Sequence, residues 1–250
     1  MRPRVSVVIP VYNEGDHIIP CLDRILECVS LPVEVLVVYD DPSDTTVPVL
    51  EKYAADDPRV VPMHNTFGRG PANAIHYGVV HANAPVAVVT MADGSDDPAQ
   101  IDVLTRLVER GVVVAAASRY ARAGQQVGGP MLKGFMSRLA GLSLYYFARV
   151  GTRDATNSFK AYSTAFVHEV GIESDKGFEI GIELVAKARR ARLPVAEIPT
   201  IWLDRAFGVS NFQLWAWLPR YLRWYRYAYG PAKKIAGFQP GTTQQEGDPS

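Results

Sequence analysis

The 250-residue chain has only two cysteines, Cys21 and Cys28, and no net charge, since 26 Lys and Arg balance 26 Asp and Glu. Two thiols in one helix-like segment form neither a disulfide framework nor a zinc-ligand spacing, so a cytoplasmic location is expected. Balanced charge argues against the basic field with which proteins hold nucleic acid. Long apolar runs are missing too. The longest, residues 139–148, is closed by Arg138 and Arg149 and is about half of the roughly 20 residues that a spanning helix needs. No transmembrane segment is expected, and no charged-then-apolar leader precedes Val5, so a cleaved signal peptide is not expected either. The Gly-rich stretch at residues 68–70 lacks the lysine of a P-loop and the third glycine of a dinucleotide fingerprint. What remains, 48% apolar and 21% charged residues, suits a soluble globular core.

Short β-branched runs alternate with 3.6-periodic segments through the first half, the pattern of βαβ units on a mainly parallel sheet. Strands are predicted at residues 5–9, 33–38, 60–62, 86–90 and 112–117, with helices at 15–29, 44–55, 70–82 and 98–110. Right-handed crossovers then gather the loops after the strands along one sheet edge, where ligands bind. From about residue 131 the pattern becomes helix, irregular segment, helix, a strand at 195–198 and a last helix from about 211. One domain is expected over residues 1–236, with a nucleotide-binding half to about 118 and an acceptor half from 119. Residues 237–250, rich in Gly, Pro, Thr, Gln and acids, read as a frayed tail.

Three of the edge loops are acidic. Strand four runs Val86 to Thr90 and stops at Met91-Ala92-Asp93-Gly94-Ser95-Asp96-Asp97-Pro98, the way a buried strand delivers carboxylates to a site. A hard divalent cation needs few protein carboxylates when substrate phosphates complete its shell. Asp96, Asp97 and Pro98 read equally well as a helix start, which leaves Asp93 as the principal candidate. After strand one, Pro10-Val11-Tyr12-Asn13-Glu14 offers an aromatic face, an amide and a carboxylate, or simply a turn. After strand two, Asp40-Asp41-Pro42-Ser43-Asp44 offers acids for a ribose or base edge, with Ser43 or Asp44 as a cap for the next helix. Gly68, Arg69 and Gly70 open a helix, which suits close backbone approach to an anion or an ordinary tight turn.

Together these segments resemble the family 2 inverting glycosyltransferases of the GT-A fold. Within them the chain is most similar to polyprenyl-phosphate sugar synthases of the dolichyl-phosphate mannose synthase type. Later segments agree: Ala117 to Tyr120, Asp154 to Lys160, Gly177 to Leu184, Glu197 to Pro199, and Arg205-Ala206-Phe207-Gly208-Val209-Ser210-Asn211. The resemblance implies an α/β GT-A fold, a mainly parallel sheet flanked by helices, and transfer of a sugar from a nucleotide-diphosphate sugar. It implies Pro10, Tyr12, Glu14, Asp40, Asp41, Gly68, Arg69, Asp93 and Ser210 as donor-binding residues. Asp93, Arg119 and Arg205 are the implied catalytic residues. A divalent metal, Mg²⁺ or Mn²⁺, is implied at Asp93, Ser95 and Asp96. Met91 stands where relatives place the first aspartate of Asp-x-Asp, which puts the metal dependence in question. The processive Gln-x-x-Arg-Trp signature is absent, which argues against polymer synthesis.

With a polyprenyl phosphate as acceptor, the attacking oxygen is already anionic near neutral pH, since a phosphate monoester has a second pKa of about 6. No strong base is then needed, and Arg119, Lys133, Arg138, Arg153 and Lys160 are candidates for the phosphate cradle. A hydroxyl acceptor would instead need a carboxylate base, for which Asp96, Asp97, Asp154 and Glu179 are available. A catalytically impaired nucleotide-sugar-binding protein is the third reading. The last helix interleaves Trp215, Trp217 and Trp224 with arginines, a pattern that suits the membrane interface as well as a core or homodimer contact. The expected location is therefore peripheral, at the cytoplasmic face of the membrane.

Overall fold

The computed structural model describes residues 2–129, 131–204, 214–233, 235, 237, 238 and 240. Five strands, β1 (Val5–Val11), β2 (Val33–Tyr39), β3 (Val60–His64), β4 (Val86–Val89) and β5 (Val114–Ser118), fall on the β-branched runs. Between them lie α1 (Ile18–Cys28), α2 (Val47–Asp56), α3 (Pro71–Val80) and α4 (Ile101–Glu109). Single 3₁₀ turns, Gly15–His17 and Pro98–Gln100, precede α1 and α4, so both helices begin later than the periodicity predicts. The second half adds β6 (Gln125–Val127), α5 (Met131–Ser143), β7 (Lys160–Ser163), α6 (Thr164–Val170), α7 (Ile180–Ala191), β8 (Val195–Pro199), β9 (Ile201–Leu203) and α8 (Leu214–Ala228). A π-type turn, Leu144–Ala148, extends α5.

The main sheet has the order β3-β2-β1-β4-β7-β5-β8. All neighbours are parallel except β7, which runs antiparallel between β4 and β5 with Ala161 opposite both Val88 and Ala115. Alternation along β1 divides the core in two. Val5, Val7 and Ile9 face α1 and α4 through Ile18, Leu22, Ile101 and Leu104. Val8 faces the other way, toward Ile75 and Val79 of α3, Leu184 of α7 and Trp224 of α8. Each fully buried aliphatic side chain contributes about 1.5–3 kcal/mol, and these two layers fix the sheet edge on which the site is built.

β1 does not stop at Pro10, as the sequence suggested, but continues in register through Pro10↔Val38 to Val11↔Tyr39. The proline costs no ladder bond, because pairing with β4 ends at Val8↔Val89. Pro10 is therefore a buried strand residue. β6 and β9 form a separate two-stranded parallel sheet with Gln126 opposite Trp202. Among the described residues, no helix is long and apolar enough to cross a membrane.

Candidate active site

The loop beyond β4 is folded by one buried carboxylate. Asp96 Oδ2 accepts from Thr90 Oγ1 at 2.9 Å and from the Met91 N–H at 3.3 Å, drawing the loop back onto the strand end. Burial pushes the Asp96 carboxyl up to about 7, against the opposing bond from Thr90. Between these anchors Gly94 takes φ +70° and the Ser95 N–H donates to Asp93 Oδ1 at 3.1 Å. Asp97 accepts from the Ala99 N–H at 3.1 Å and caps the following turn, as its position before Pro98 suggests.

Arg119 follows β5 directly. Its Nε and Nη2 donate to the two oxygens of Asp154 at 2.7 and 2.9 Å, and its backbone N–H donates to Oδ2 at 3.0 Å. Ser137 of α5 accepts from Nη2 at 3.3 Å, and the guanidinium lies 5.0 Å from the Tyr120 ring centroid. Asp154 is fully buried, and although burial alone would raise its pKa, Arg119 holds it below the usual carboxylate range.

Asp93, Ser95, Asp96 and Arg119 line a cleft of about 490 Å³. Asn157 and Ser158 add amide and hydroxyl groups at the same cleft, and Trp202 adds an aromatic wall. The other walls are apolar and come from two helices, Met136, Leu139 and Ala140 of α5 and Leu218, Leu222 and Tyr225 of α8. One cleft thus brings acids and a fixed guanidinium together with the apolar faces of two helices.

The remaining cations fall elsewhere. Lys160 is fully buried in β7, where its ammonium donates to the Asn157 carbonyl and to that of Ala155 at 3.3 Å. Arg153 pairs with Glu197 and stacks 4.2 Å over Tyr145. Arg138 is exposed on α5, and none of these three lines the cleft. The structure thus brings Arg119 of the expected phosphate cradle to the cleft, and places Lys160 in a strand flanked on both sides and Arg153 on Glu197, away from it. The side chain of Lys133, and the whole of Arg205 and Ser210, lie outside the described residues.

On the same sheet edge, beyond β1 and β2, the acids organise loops. Tyr12 is 66% exposed, which leaves its ring face open. Asn13, at φ +54°, donates its N–H to Asp44 Oδ2 at 2.9 Å, while the Glu14 N–H donates to Thr46 Oγ1 at 3.0 Å. Asp44 Oδ1 accepts from the Thr46 N–H at 2.8 Å, so Asp44 shapes the turn before α2 rather than capping the helix itself. Asp40 takes the Asn65 amide and the Gly70 N–H, each at 2.7 Å. Asp41 pairs with Arg69 and accepts from Ser43. Gly70 sits at φ +119°, and a Cβ there would meet the Lys176 carbonyl oxygen at 2.8 Å. The Gly-rich loop is thus clamped between Asp40 and the segment before α7.

Ser137, Trp202 and Tyr225 were not singled out by the sequence. They reach the cleft from a helix, a two-stranded sheet and α8, a convergence with no local signature. Among the described residues, no three His, Cys, Asp or Glu gather as a metal cluster. The donor set at Asp93 and Asp96 is all oxygen and small, which fits a hard cation that takes most of its ligands from a diphosphate.

A mainly parallel sheet with one inserted antiparallel strand and an acidic loop beyond β4 defines a GT-A type glycosyltransferase. The chain belongs to Glycosyl transferase family 2, whose sequence model matches residues 6–171. It is 29% identical over 219 residues to the polyprenol monophosphomannose synthase of Mycolicibacterium smegmatis, covering 84% of this chain and 82% of that one. It is 27% identical over 213 residues to the undecaprenyl-phosphate mannosyltransferase of Micrococcus luteus, covering 83% and 87%. Glucosyl-3-phosphoglycerate synthase from Mycobacterium tuberculosis, solved with Mn²⁺, UDP-glucose and phosphoglyceric acid, superposes with a TM-score of 0.67 at 17% identity over 92% of this chain and 81% of that one. The mannosyltransferase PcManGT from Pyrobaculum calidifontis, solved with GDP-Man and Mn²⁺, gives 0.61 at 20% identity over 96% and 68%. At these identities the structural likeness concerns the fold.

Proposed function

We propose that this glycosyltransferase moves a sugar, with inversion, from a nucleotide-diphosphate sugar to a polyprenyl phosphate. The observation that carries the reading is the cleft itself, which Asp93 and Arg119 line together with Met136, Leu139, Leu218 and Leu222. A charged head and an apolar tail describe a prenyl phosphate. The two curated relatives, named for polyprenol and undecaprenyl-phosphate mannosyl transfer, support the same acceptor class and make mannose the first sugar to test.

In this reading Asp93, with Ser95 and Asp96 beside it, holds a divalent cation on the donor diphosphate. The metal supplies charge neutralisation to the leaving phosphate. Arg205 and Ser210, carried over from the family resemblance, bind the same diphosphate as negative charge builds on it. Tyr12 stacks the donor base, Glu14 lies beside it, and the Asp40-Asp41 pair with Gly68 and Arg69 forms the rim of the donor side. Arg119, fixed by Asp154 and Ser137 through Nε and Nη2, offers its two Nη1 N–H groups to the acceptor phosphate, whose dianion attacks without a base. The exposed Phe135, Leu139, Tyr146 and Phe147 on and just beyond α5 dock the cleft on a bilayer. Exposed Arg138 and Arg226 complement anionic headgroups, which favours the cytoplasmic leaflet.

The deciding experiment offers GDP-mannose and UDP-glucose with Mg²⁺ or Mn²⁺ to a short-chain prenyl phosphate, the matching prenol and simple sugars. Transfer to the phosphate over the prenol is expected. Preference for a sugar hydroxyl would replace the reading, and absence of turnover with every donor and acceptor would leave a nucleotide-sugar-binding protein.

A further inference from the structure

A second cavity, of about 420 Å³, lies where the carboxyl end of α7, the start of β8 and residues 230–232 meet. It is at the opposite end of the sheet from the cleft. β8 runs parallel to β5 with Val195 beside Val114 and Pro199 beside Ser118. Arg119 of the cleft follows Ser118, whereas Val195 lines this cavity four residues back, roughly 13 Å along the strands.

Arg149, Arg189 and Arg192 line the cavity and, among the described residues, no carboxylate does. Arg189 is half-buried and fixed, donating from Nε to the Ala148 carbonyl at 2.8 Å and from Nη1 to the Gly230 carbonyl at 2.6 Å. Arg149 and Arg192 are exposed residues that end the π-type turn and α7 in the left-handed conformation, at φ +56° and +59°. Glycine is the usual residue at such positions. A cation beside a helix carboxyl end does complement the helix dipole. That accounts for one arginine at each helix end. Two backbone carbonyls hold Arg189 at the same cavity, so three arginines line it with no carboxylate among the described lining residues, and like charges around one cavity repel unless an anion joins them.

We infer that this cavity is an anion site, separate from the nucleotide cleft, that takes a phosphate group. Forked guanidinium donors match phosphate oxygens in geometry and charge. The phosphate belongs either to a soluble phosphate ester or to a lipid headgroup, and the 77% exposed ring of Phe147, two residues before Arg149, gives the second source a surface to approach from.

The test removes two charges with the double variant Arg149→Asn, Arg192→Asn, because asparagine tolerates the left-handed backbone. A second double variant, Arg149→Gly with Arg192→Gly, repeats it on the residue this conformation favours most. Inorganic phosphate, titrated at constant ionic strength with chloride, is expected to raise the Tm of the unaltered protein saturably. In a parallel arm, phosphatidylcholine vesicles containing phosphatidylglycerol are sedimented with each protein. Both variants should keep the phosphate-free Tm and their rate of sugar transfer while binding phosphate, or the anionic vesicles, at least about tenfold more weakly. Weaker binding by the variants in the phosphate arm alone assigns a soluble ester, in the vesicle arm alone a headgroup, and in both arms a site that takes the phosphate from either source. Equal binding by the unaltered protein and a folded variant in both arms, or no saturable response in either, overturns the site.

Discussion

Arg119 lays both prongs of its guanidinium on Asp154, with Nε to Oδ2 at 2.7 Å and Nη2 to Oδ1 at 2.9 Å, and Asp154 is completely buried. The pair joins the end of β5 to the loop before β7 and thereby fixes part of the cleft wall. Removing one partner of a buried pair leaves the other charge uncompensated and costs about 3–5 kcal/mol. Asp154→Ala is expected to lose about that much in urea unfolding. Arg119→Lys keeps a charge but not the fork, so it should be milder in stability and still raise the acceptor KM. An Asp154→Ala protein of unchanged stability would show that the fork is not what holds this wall.

Asp93 is half-buried on the cleft, where the bond it accepts is local, from the Ser95 N–H two residues on, so its loss should fall on turnover. Asp93→Ala is expected to lower kcat/KM by about two orders of magnitude or more, with stability changed by less than about 1 kcal/mol. The companion variant, Met91→Asp, adds a carboxylate where the family resemblance implies one and should tighten Mn²⁺ binding in a calorimetric titration. Unchanged turnover in the first variant removes Asp93 from the reaction, and unchanged metal affinity in the second means that Met91 does not face the cation.

The first half of the fold was legible because β1, β2, β4 and β5 are short, mainly apolar runs rich in Val or Ala and bounded by polar loops, and their helices carry clear periodicity. β7 was not. Lys160-Ala161-Tyr162-Ser163 has no β-branched residue and a lysine at its head, and only insertion between β4 and β5 makes it a strand. The same insertion explains why Lys160, a candidate for the phosphate cradle in sequence, lies in the core. Asp93 was legible because a buried strand ending in acids is a local signal. The apolar channel was not, because its walls meet only when α5 and α8 pack across the cleft.

The exposed aromatics beside α5 and the buried one in α8 make opposite predictions. Trp224 is 2% exposed and packs 5.2 Å from the Lys187 ammonium, so it belongs to the core and not to a lipid surface. Trp224→Ser should cost roughly 3–5 kcal/mol, as large core truncations do. Phe147→Ser, at a ring 77% exposed, should leave the Tm in place and reduce co-sedimentation with anionic vesicles. A Phe147→Ser protein that still binds vesicles as the unaltered one does would move the membrane contact away from this turn.

Lys160 gives the fold a pH dependence of definite sign. Burial lowers its pKa from 10.5 to about 7, although the Asp154 carboxylate acts in the opposite direction. Between those two values the folded state binds fewer protons at this site than the unfolded chain does. Stability contributed by this group therefore rises as pH increases from about 7 to about 10.5, with a slope of up to about 1.4 kcal/mol per pH unit. Below about 7 both states are protonated, and the full cost of burying the ammonium is present and constant. Urea unfolding of the unaltered protein and of Lys160→Met, measured at intervals from pH 6 to 10, isolates the term as the difference in slope. The unaltered protein is expected to gain stability relative to the variant as pH rises through that window. Parallel curves for the two proteins would mean that Lys160 keeps its ordinary pKa inside β7, and that the carbonyls of Ala155 and Asn157 with Asp154 offset its burial completely.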